Sequence, residues 1–199
     1  MKILVIGATG TIGFEIYNNL RKENHEVYGA HRNSTDYPVD ITDKNSINNV
    51  FKKLPKLDAV INAAGTASWK PLSDLTEEDY YIGIRSKLMG QVNLVNTAKE
   101  HVNDNASITL TTGILAEHYE PGAVALSLVN GAIHSFVNAA SNELHRGIRL
   151  NVVAPGAIAG DFPEDKKFAG YFPIPIDEAL KLYRKALTEN ISGQILKKY

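Results

Sequence analysis

Short apolar runs of strand length recur along the chain, separated by longer segments whose apolar positions return every three or four residues. The short runs are Lys2–Ile6, Glu26–Ala30, Leu57–Asn62, Ser107–Thr111, Arg149–Ala154 and a brief Gln194–Leu196, each rich in Val, Ile or Leu and closed by polar, Gly or Pro punctuation. Helical periodicity predicts helices over Gly13–Asn24, Lys44–Lys53, Glu77–His101, Val124–Leu144 and Asp177–Asn190. The third opens on Thr76-Glu77-Glu78-Asp79, a capping box, and carries Leu88, Val92 and Val95 on one face. Apolar strands alternating with amphipathic helices predict a doubly wound α/β domain with a mostly parallel sheet covered on both faces. With no repeat, low-complexity tract or linker, residues 1–199 read as a single domain. One irregular stretch, Gly156 to Pro175, places Phe162, Phe168, Tyr171 and Phe172 among Pro163, Pro173 and Pro175. It reads as a loop covering a substrate.

Composition narrows the function. The 199 residues are 44% hydrophobic and 22% charged, as expected of one globular domain. With 21 Lys+Arg against 22 Asp+Glu the net charge is -1, so no basic excess exists to neutralise nucleic-acid phosphates or an anionic membrane surface. The absence of cysteine removes disulfides, thiolate metal sites, iron–sulfur ligation and cysteine nucleophiles together. Met1–Ile6 is too short for a signal-peptide core, and no stretch reaches the ~18 apolar residues of a membrane span. A soluble cytoplasmic protein is expected. His25, His31, His101, His134 and His145 show no ligand spacing and read as surface or packing residues, so no metal site is implied.

Ile6-Gly7-Ala8-Thr9-Gly10-Thr11-Ile12-Gly13 follows the first strand and opens a helix. Glycines there let the chain turn tightly and let a pyrophosphate approach backbone N–H groups at a helix N-terminus. A merely tight strand-to-helix turn is the plainer alternative, but three glycines at three-residue spacing favour a dinucleotide. The second strand runs into His31-Arg32-Asn33 with no acid to grip a ribose 2′-hydroxyl, whereas Arg32 can pair with a 2′-phosphate. That favours NADP(H) over NAD(H), against the alternative of a solvated loop cation.

At this point the sequence resembles the short-chain dehydrogenase/reductase family, from Met1 to about Ile158, with a weaker echo in Ser192–Leu196. Val39-Asp40-Ile41-Thr42 is similar to the family segment whose aspartate contacts adenine. Asn62-Ala63-Ala64-Gly65 is similar to the signature after the family's fourth strand, and Gly147–Gly156 to the segment whose Pro155-Gly156 lies beside the nicotinamide. The resemblance implies a Rossmann-type fold and cofactor contacts from Gly7, Thr9, Gly10, Thr11, Ile12, Gly13, Arg32, Asp40, Ile41, Asn62, Ala63, Ala64, Gly65, Pro155, Gly156 and Ile158. Two departures stand out. Only seven residues separate Arg32 from Asp40, so the family's helix there is missing, and Gly160 replaces a threonine that contacts the pyrophosphate.

The family's catalytic set is altered in all four roles. The tyrosine position falls on Leu126, the lysine position on Asn130, and the asparagine position on Lys87. The serine position falls on Thr112, or on Gly113 if no gap is allowed. Leu126 has no titratable proton and Asn130 supplies no cation, so ordinary acid/base catalysis has lost its acid and its tuner. Thr112 keeps a hydroxyl to orient an oxygen, and Lys87 can supply a proton or field, although a helix-surface lysine is the plainer reading. Tyr119, between His118 and Glu120, is a further substitute.

Two readings follow. One is an NADP(H)-dependent oxidoreductase acting on an unidentified carbonyl or alcohol; the other is an inactive nucleotide-sensing or partner-binding protein on the same fold. The resemblance also implies a homo-oligomer built on the two long helices, with Leu88, Val92 and Val95 on one and Leu128, Ala132 and Phe136 on the other.

Overall fold

The computed structural model describes all 199 residues. Six strands form one sheet: β1 Lys2–Ile6, β2 Glu26–Ala30, β3 Leu57–Asn62, β4 Val102–Thr111, β5 Arg149–Pro155 and β6 Ile195–Lys198. Their order is β2-β1-β3-β4-β5-β6, and every pairing is parallel. The central strands can be continuously apolar because both faces are covered. On one face, Leu4, Val60, Leu110 and Leu150 pack with residues of α2 Lys44–Lys53, α4 Met89–His101 and α5 Val124–Ala140. On the other, Ile3, Val5, Ala59 and Val153 pack with residues of α1 Thr11–Lys22 and α6 Ile176–Thr188.

The chain leaves β1 toward β2 on one side and then returns to β3 on the other. The connections therefore diverge at the carboxyl ends of β1 and β3, where doubly wound sheets open a crevice. Between Ala30 and Lys44 there is neither helix nor further strand, only a bridge from His31 to Pro38, and β2 is the sheet edge.

Several boundaries differ from the sequence reading. Helix α1 begins at Thr11, two residues early, because Gly10 is extended (φ -81°, ψ 164°) and acts as its N-cap. The single helix expected over Glu77–His101 is interrupted: α3 Glu77–Gly83 leads into a π turn, Ile84–Leu88, and then α4. The capping box forms, with Thr76 and Asp79 each accepting from the other's backbone N–H. The π turn lies between two tight approaches. A Cβ at Gly83 would come within 2.9 Å of Ala67 Cβ, and one at Gly90 within 3.0 Å of the Ile41 carbonyl. Of the expected stripe, Val95 is buried in the core and Leu88 packs against it, with Val92 between them on α4.

Strand β4 starts at Val102 rather than Ser107, because Val102 already pairs with Leu57; a register shift then restores the regular ladder at Ser107. Helix α5 stops at Ala140, and Arg146 and Gly147, both at positive φ, turn the chain into β5. Strands β5 and β6 run on to Pro155 and Lys198, and α6 spans Ile176–Thr188. The 156–175 segment folds back on itself, with Ala159 and Ile174 donating to the carbonyls of Ile174 and Ala157 at 2.9 and 2.8 Å. No helix is long and apolar enough to cross a membrane.

Candidate functional site

A cleft of about 620 Å³ opens at the divergence point of β1 and β3. Of the residues expected to bind cofactor, Gly7, Thr9, Gly10, Arg32, Asp40, Ile41, Ala63, Ala64 and Gly65 line it. Thr11, Ile12 and Gly13 form the first turn of α1 beside it. Asn62 is fully buried at the end of β3, its amide donating to the Ala64 carbonyl at 2.8 Å and so shaping the turn beneath the cleft.

The three glycines do different work. Gly7 sits at φ +83°, and a Cβ there would meet the Ala63–Ala64 peptide at 2.9 Å. A Cβ on Gly13 would fall 2.1 Å from the Gly7 carbonyl. Both positions are required by the turn itself. A Cβ on Gly10 would meet nothing closer than the Gly7 carbonyl at 3.6 Å, an ordinary contact, yet Gly10 lines the cleft. Helix α1 has no side-chain cap and no carboxylate in its first turn, so its positive end is not neutralised internally. The turn thus fits a pyrophosphate brought against bare backbone.

Arg32, His31 and Asn33 form one wall of the cleft, and Ile82, Arg85 and Ser86, in α3 and the π turn, form another. The second group was not foreseen, because only the interrupted helix brings it across. Arg85 meets Glu78 at 2.6 Å. Asp40 accepts from Thr42 N at 2.9 Å and Thr42 Oγ1 at 2.8 Å. These bonds, aided by the charge of Arg32, hold its carboxyl below the usual range.

The residues expected to act on substrate lie beyond the cleft lining. Thr112 is buried at the end of β4, and its hydroxyl is 2.9 Å from His134 Nε2 on α5. Burial pushes the His134 imidazole down, with Glu117 and Lys197, themselves ion-paired, acting in opposite directions. Gly113 is extended (φ 170°), and a Cβ there would lie 3.5 Å from the Pro155 carbonyl and 4.0 Å from Asn130 Nδ2. Asn130 is 2% exposed, and its Oδ1 has no partner.

Lys87, within the π turn, packs its Cα, Cβ and Cγ on Gly65. Its ammonium is pushed down to about 8 by burial alone, with no carboxylate or hydrogen bond to offset it. Gln91, one turn on, accepts from Thr111 N and donates to Thr111 O, both at 3.1 Å, fixing this helix to the carboxyl end of β4.

Tyr119 is 73% exposed and faces solvent. Its neighbour His118 instead meets two tyrosines edge-on, Tyr171 at 4.8 Å and Tyr199 at 5.3 Å. Tyr199, just past β6, brings its backbone within 3.4 Å of where a Cβ on Gly156 would stand, and Gly156 N donates to the Lys198 carbonyl at 2.7 Å. Ile158 packs with Ile174 and the side chains of Ile12 and Ile176. The sequence reads His134 as a surface or packing residue; its bond to Thr112 depends on the register of α5 against β4, which sequence spacing does not carry.

Comparison with known proteins is consistent with this geometry. A family described as enoyl-(acyl carrier protein) reductase matches residues 11–174. Among similar proteins, cyclopentanol dehydrogenase of a Comamonas species is 25% identical over 158 residues, covering 74% of this chain and 59% of that protein. L-2,3-butanediol dehydrogenase of Corynebacterium glutamicum is 27% identical over 175 residues, covering 79% and 67%. The chain thus spans about three fifths of the length of the cyclopentanol dehydrogenase. Among solved structures, the protein lin1944 from Listeria innocua superposes with a TM-score of 0.95 at 37% identity over the whole of both chains. A small-chain dehydrogenase in complex with NADPH gives 0.88 at 21% identity, over 100% of this chain and 96% of that one.

Proposed function

The chain belongs to the short-chain dehydrogenase/reductase family, and from that premise we propose that it is an NADP(H)-dependent oxidoreductase acting on a carbonyl or alcohol through a non-standard site. Gly10 carries this reading: nothing in the protein's own packing requires a glycine there, and the space it leaves open lies in the cleft, beside the uncapped end of α1. A reduced nicotinamide, when bound, supplies a hydride. Gly7, Gly10 and the first turn of α1, with Thr9, Thr11, Ile12 and Gly13, hold the pyrophosphate. Asp40 and Ile41 flank the adenine, and Asn62–Gly65 floor the cleft. Pro155, Gly156 and Ile158 back the nicotinamide end, and the 156–175 segment covers the substrate.

Preference for the phosphorylated cofactor rests on Arg32, which lines the cleft with no acid at the end of β2 to claim a ribose hydroxyl. Calorimetric titration is expected to give tighter binding of NADPH than of NADH. Arg32→Ala should remove most of the difference, about 1–3 kcal/mol for charge-assisted hydrogen bonds. Equal affinities in the unaltered protein refute the preference, and no binding of either nucleotide refutes the site.

A second reading, a nucleotide sensor without turnover, is favoured by one observation: Leu126 and Gly113 present no hydroxyl, and Thr112 spends its own on His134. NADPH consumption against a panel of aldehydes, ketones and quinones separates the two.

A further inference from the structure

Four buried side-chain oxygens have no partner, those of Asn62, Thr109, Asn130 and Tyr199, and beyond the cleft lining a partly buried lysine also lacks a countercharge. Asn130 Oδ1, on a side chain 2% exposed, has no donor. The Lys87 ammonium, half-buried, has neither an acceptor nor a countercharge. A buried amide oxygen left unpaired costs free energy inside a protein, and a partly buried ammonium without a countercharge holds its proton less firmly.

The two approach the carboxyl end of β4 from different elements. Lys87 lies in the π turn against Gly65, and Gln91 ties its helix to both backbone groups of Thr111. Asn130 lies on α5 with its amide nitrogen facing Gly113, two residues further on. Helix α5 packs on the π turn and on α3, where a Cβ at Gly83 would stand 3.2 Å from Val129 Cγ1. The unmet requirements are complementary. One group needs a donor and the other an acceptor, and a hydroxyl provides both. A carboxylate would satisfy Lys87 alone, and an ammonium would satisfy Asn130 but repel Lys87.

We propose that Lys87 and Asn130 together form the site for a hydroxyl oxygen, Lys87 donating to it and Asn130 Oδ1 accepting from it. This rests on the oxidoreductase reading above and supplies the proton that reading lacks. In reduction, as the carbonyl carbon takes up the hydride that a bound reduced nicotinamide would supply and be oxidised by losing, the C=O π pair moves onto oxygen. Oxygen takes a proton from the Lys87 ammonium, which becomes a neutral amine, and the new O–H donates to Asn130. Oxidation runs the reverse, with the amine as base. A lysine loses its proton most readily where no carboxylate holds it. Of the three acids on α3, Glu78 is paired with Arg85 and Asp79 with Lys70, and Glu77 is exposed in the helix's first turn. Helix α5 offers only His134, bonded to Thr112, and Asn62–Thr66 carries no charge.

The test follows the Lys87 side chain directly in full-length protein with 13Cε-labelled lysine, its resonance identified by its loss in Lys87→Met. The Lys87 resonance should titrate about two pH units below the other lysines, and Asn130→Asp should raise its midpoint by a unit or more while Asn130→Ser should not. An unmoved midpoint in a folded Asn130→Asp overturns the proposal. NADP+ and then 2-propanol, used as probe alcohol, are added in turn. A response only after 2-propanol supports the substrate site, a response to NADP+ alone assigns the hydroxyl to the nucleotide and overturns the proton transfer to substrate, and no response to either overturns the proposal. The response should be lost in Asn130→Ser. Lys87→Met should lower kcat at least a hundredfold with the NADPH dissociation constant unchanged within threefold, and Lys87→Arg should not rescue it. NADPH binding without these effects defeats this inference alone; absence of NADPH binding defeats the underlying reading.

Discussion

At the residue scale, Gly7, Gly10 and Gly13 look alike in the sequence and are separated only by what a methyl group would meet. Gly13→Ala forces a carbon against the Gly7 carbonyl, so it should destabilise the protein by about 1–3 kcal/mol, read as a lower midpoint in urea. Gly10→Ala meets only an ordinary contact at 3.6 Å. Its melting temperature should stay within a degree or two, while NADPH binding weakens about tenfold or more, because the methyl occupies space at the end of α1. A Gly10→Ala protein that binds NADPH normally would show that this end of the helix is not approached by the ligand. The glycine spacing is legible as a tight strand-to-helix turn, but the division between turn-forming and cleft-facing glycines depends on the Ala63–Ala64 peptide, which folding brings from β3.

At the element scale, what was legible was local and what was missed was long-range. The capping box at Thr76 and the runs of β1, β2 and β3 depend on neighbours in sequence, and they form where expected. The π turn depends on contacts of Gly83 with Ala67 and Gly90 with Ile41, invisible to a 3.6-residue periodicity. It places Ile82, Arg85 and Ser86 at the cleft. Leu88, in that turn, and Val95, on α4, pack on the core rather than on a free face.

Exposed apolar side chains nonetheless remain on these helices. Leu128 and Val124 on α5 are 47% and 38% exposed, and Met89 at the start of α4 is 41% exposed. We expect these to pair two copies of the chain, with Leu128 at the seam. Light scattering should report a dimer or larger species, and Leu128→Asp should shift it toward monomer by about tenfold or more in dissociation constant, since it buries an unpaired charge. A concentration-independent monomer in the unaltered protein removes the expectation.

At the scale of the whole molecule, the shifted ionisations add to a pH profile that rises from acid and falls again in strong alkali. Carboxyls held low, such as Asp40 and Asp58 by their hydrogen bonds, contribute stability that is lost as pH falls through their lowered values. His134, pushed down by burial, contributes stability present above its ordinary 6.5 and lost as pH falls below it. Lys87 has the same sign in a higher window. Its ordinary value is 10.5 and its folded value about 8, so between these the unfolded chain holds more protons and stability rises with pH. Buried Tyr183 and half-buried Tyr199 are pushed up from 10, so their contribution is intact below pH 10 and lost above it.

Stability should therefore peak between pH 8 and 10, alkaline of the pH ~5–8 maximum common among proteins. The displacement depends chiefly on Lys87, because His134 has finished titrating by pH 8. Lys87→Met should stabilise the protein at pH 7 by about 1–2 kcal/mol, a full shift of this size at about 1.36 kcal/mol per unit being reduced by the side chain's partial exposure. The gain should vanish by pH 10.5, moving the optimum toward neutrality. Urea midpoints from pH 5 to 11 measure both profiles. A variant as unstable as, or less stable than, the unaltered protein at pH 7 would mean that the Lys87 ammonium is satisfied in the folded chain, and the hydroxyl site it is assigned to would lose its cation.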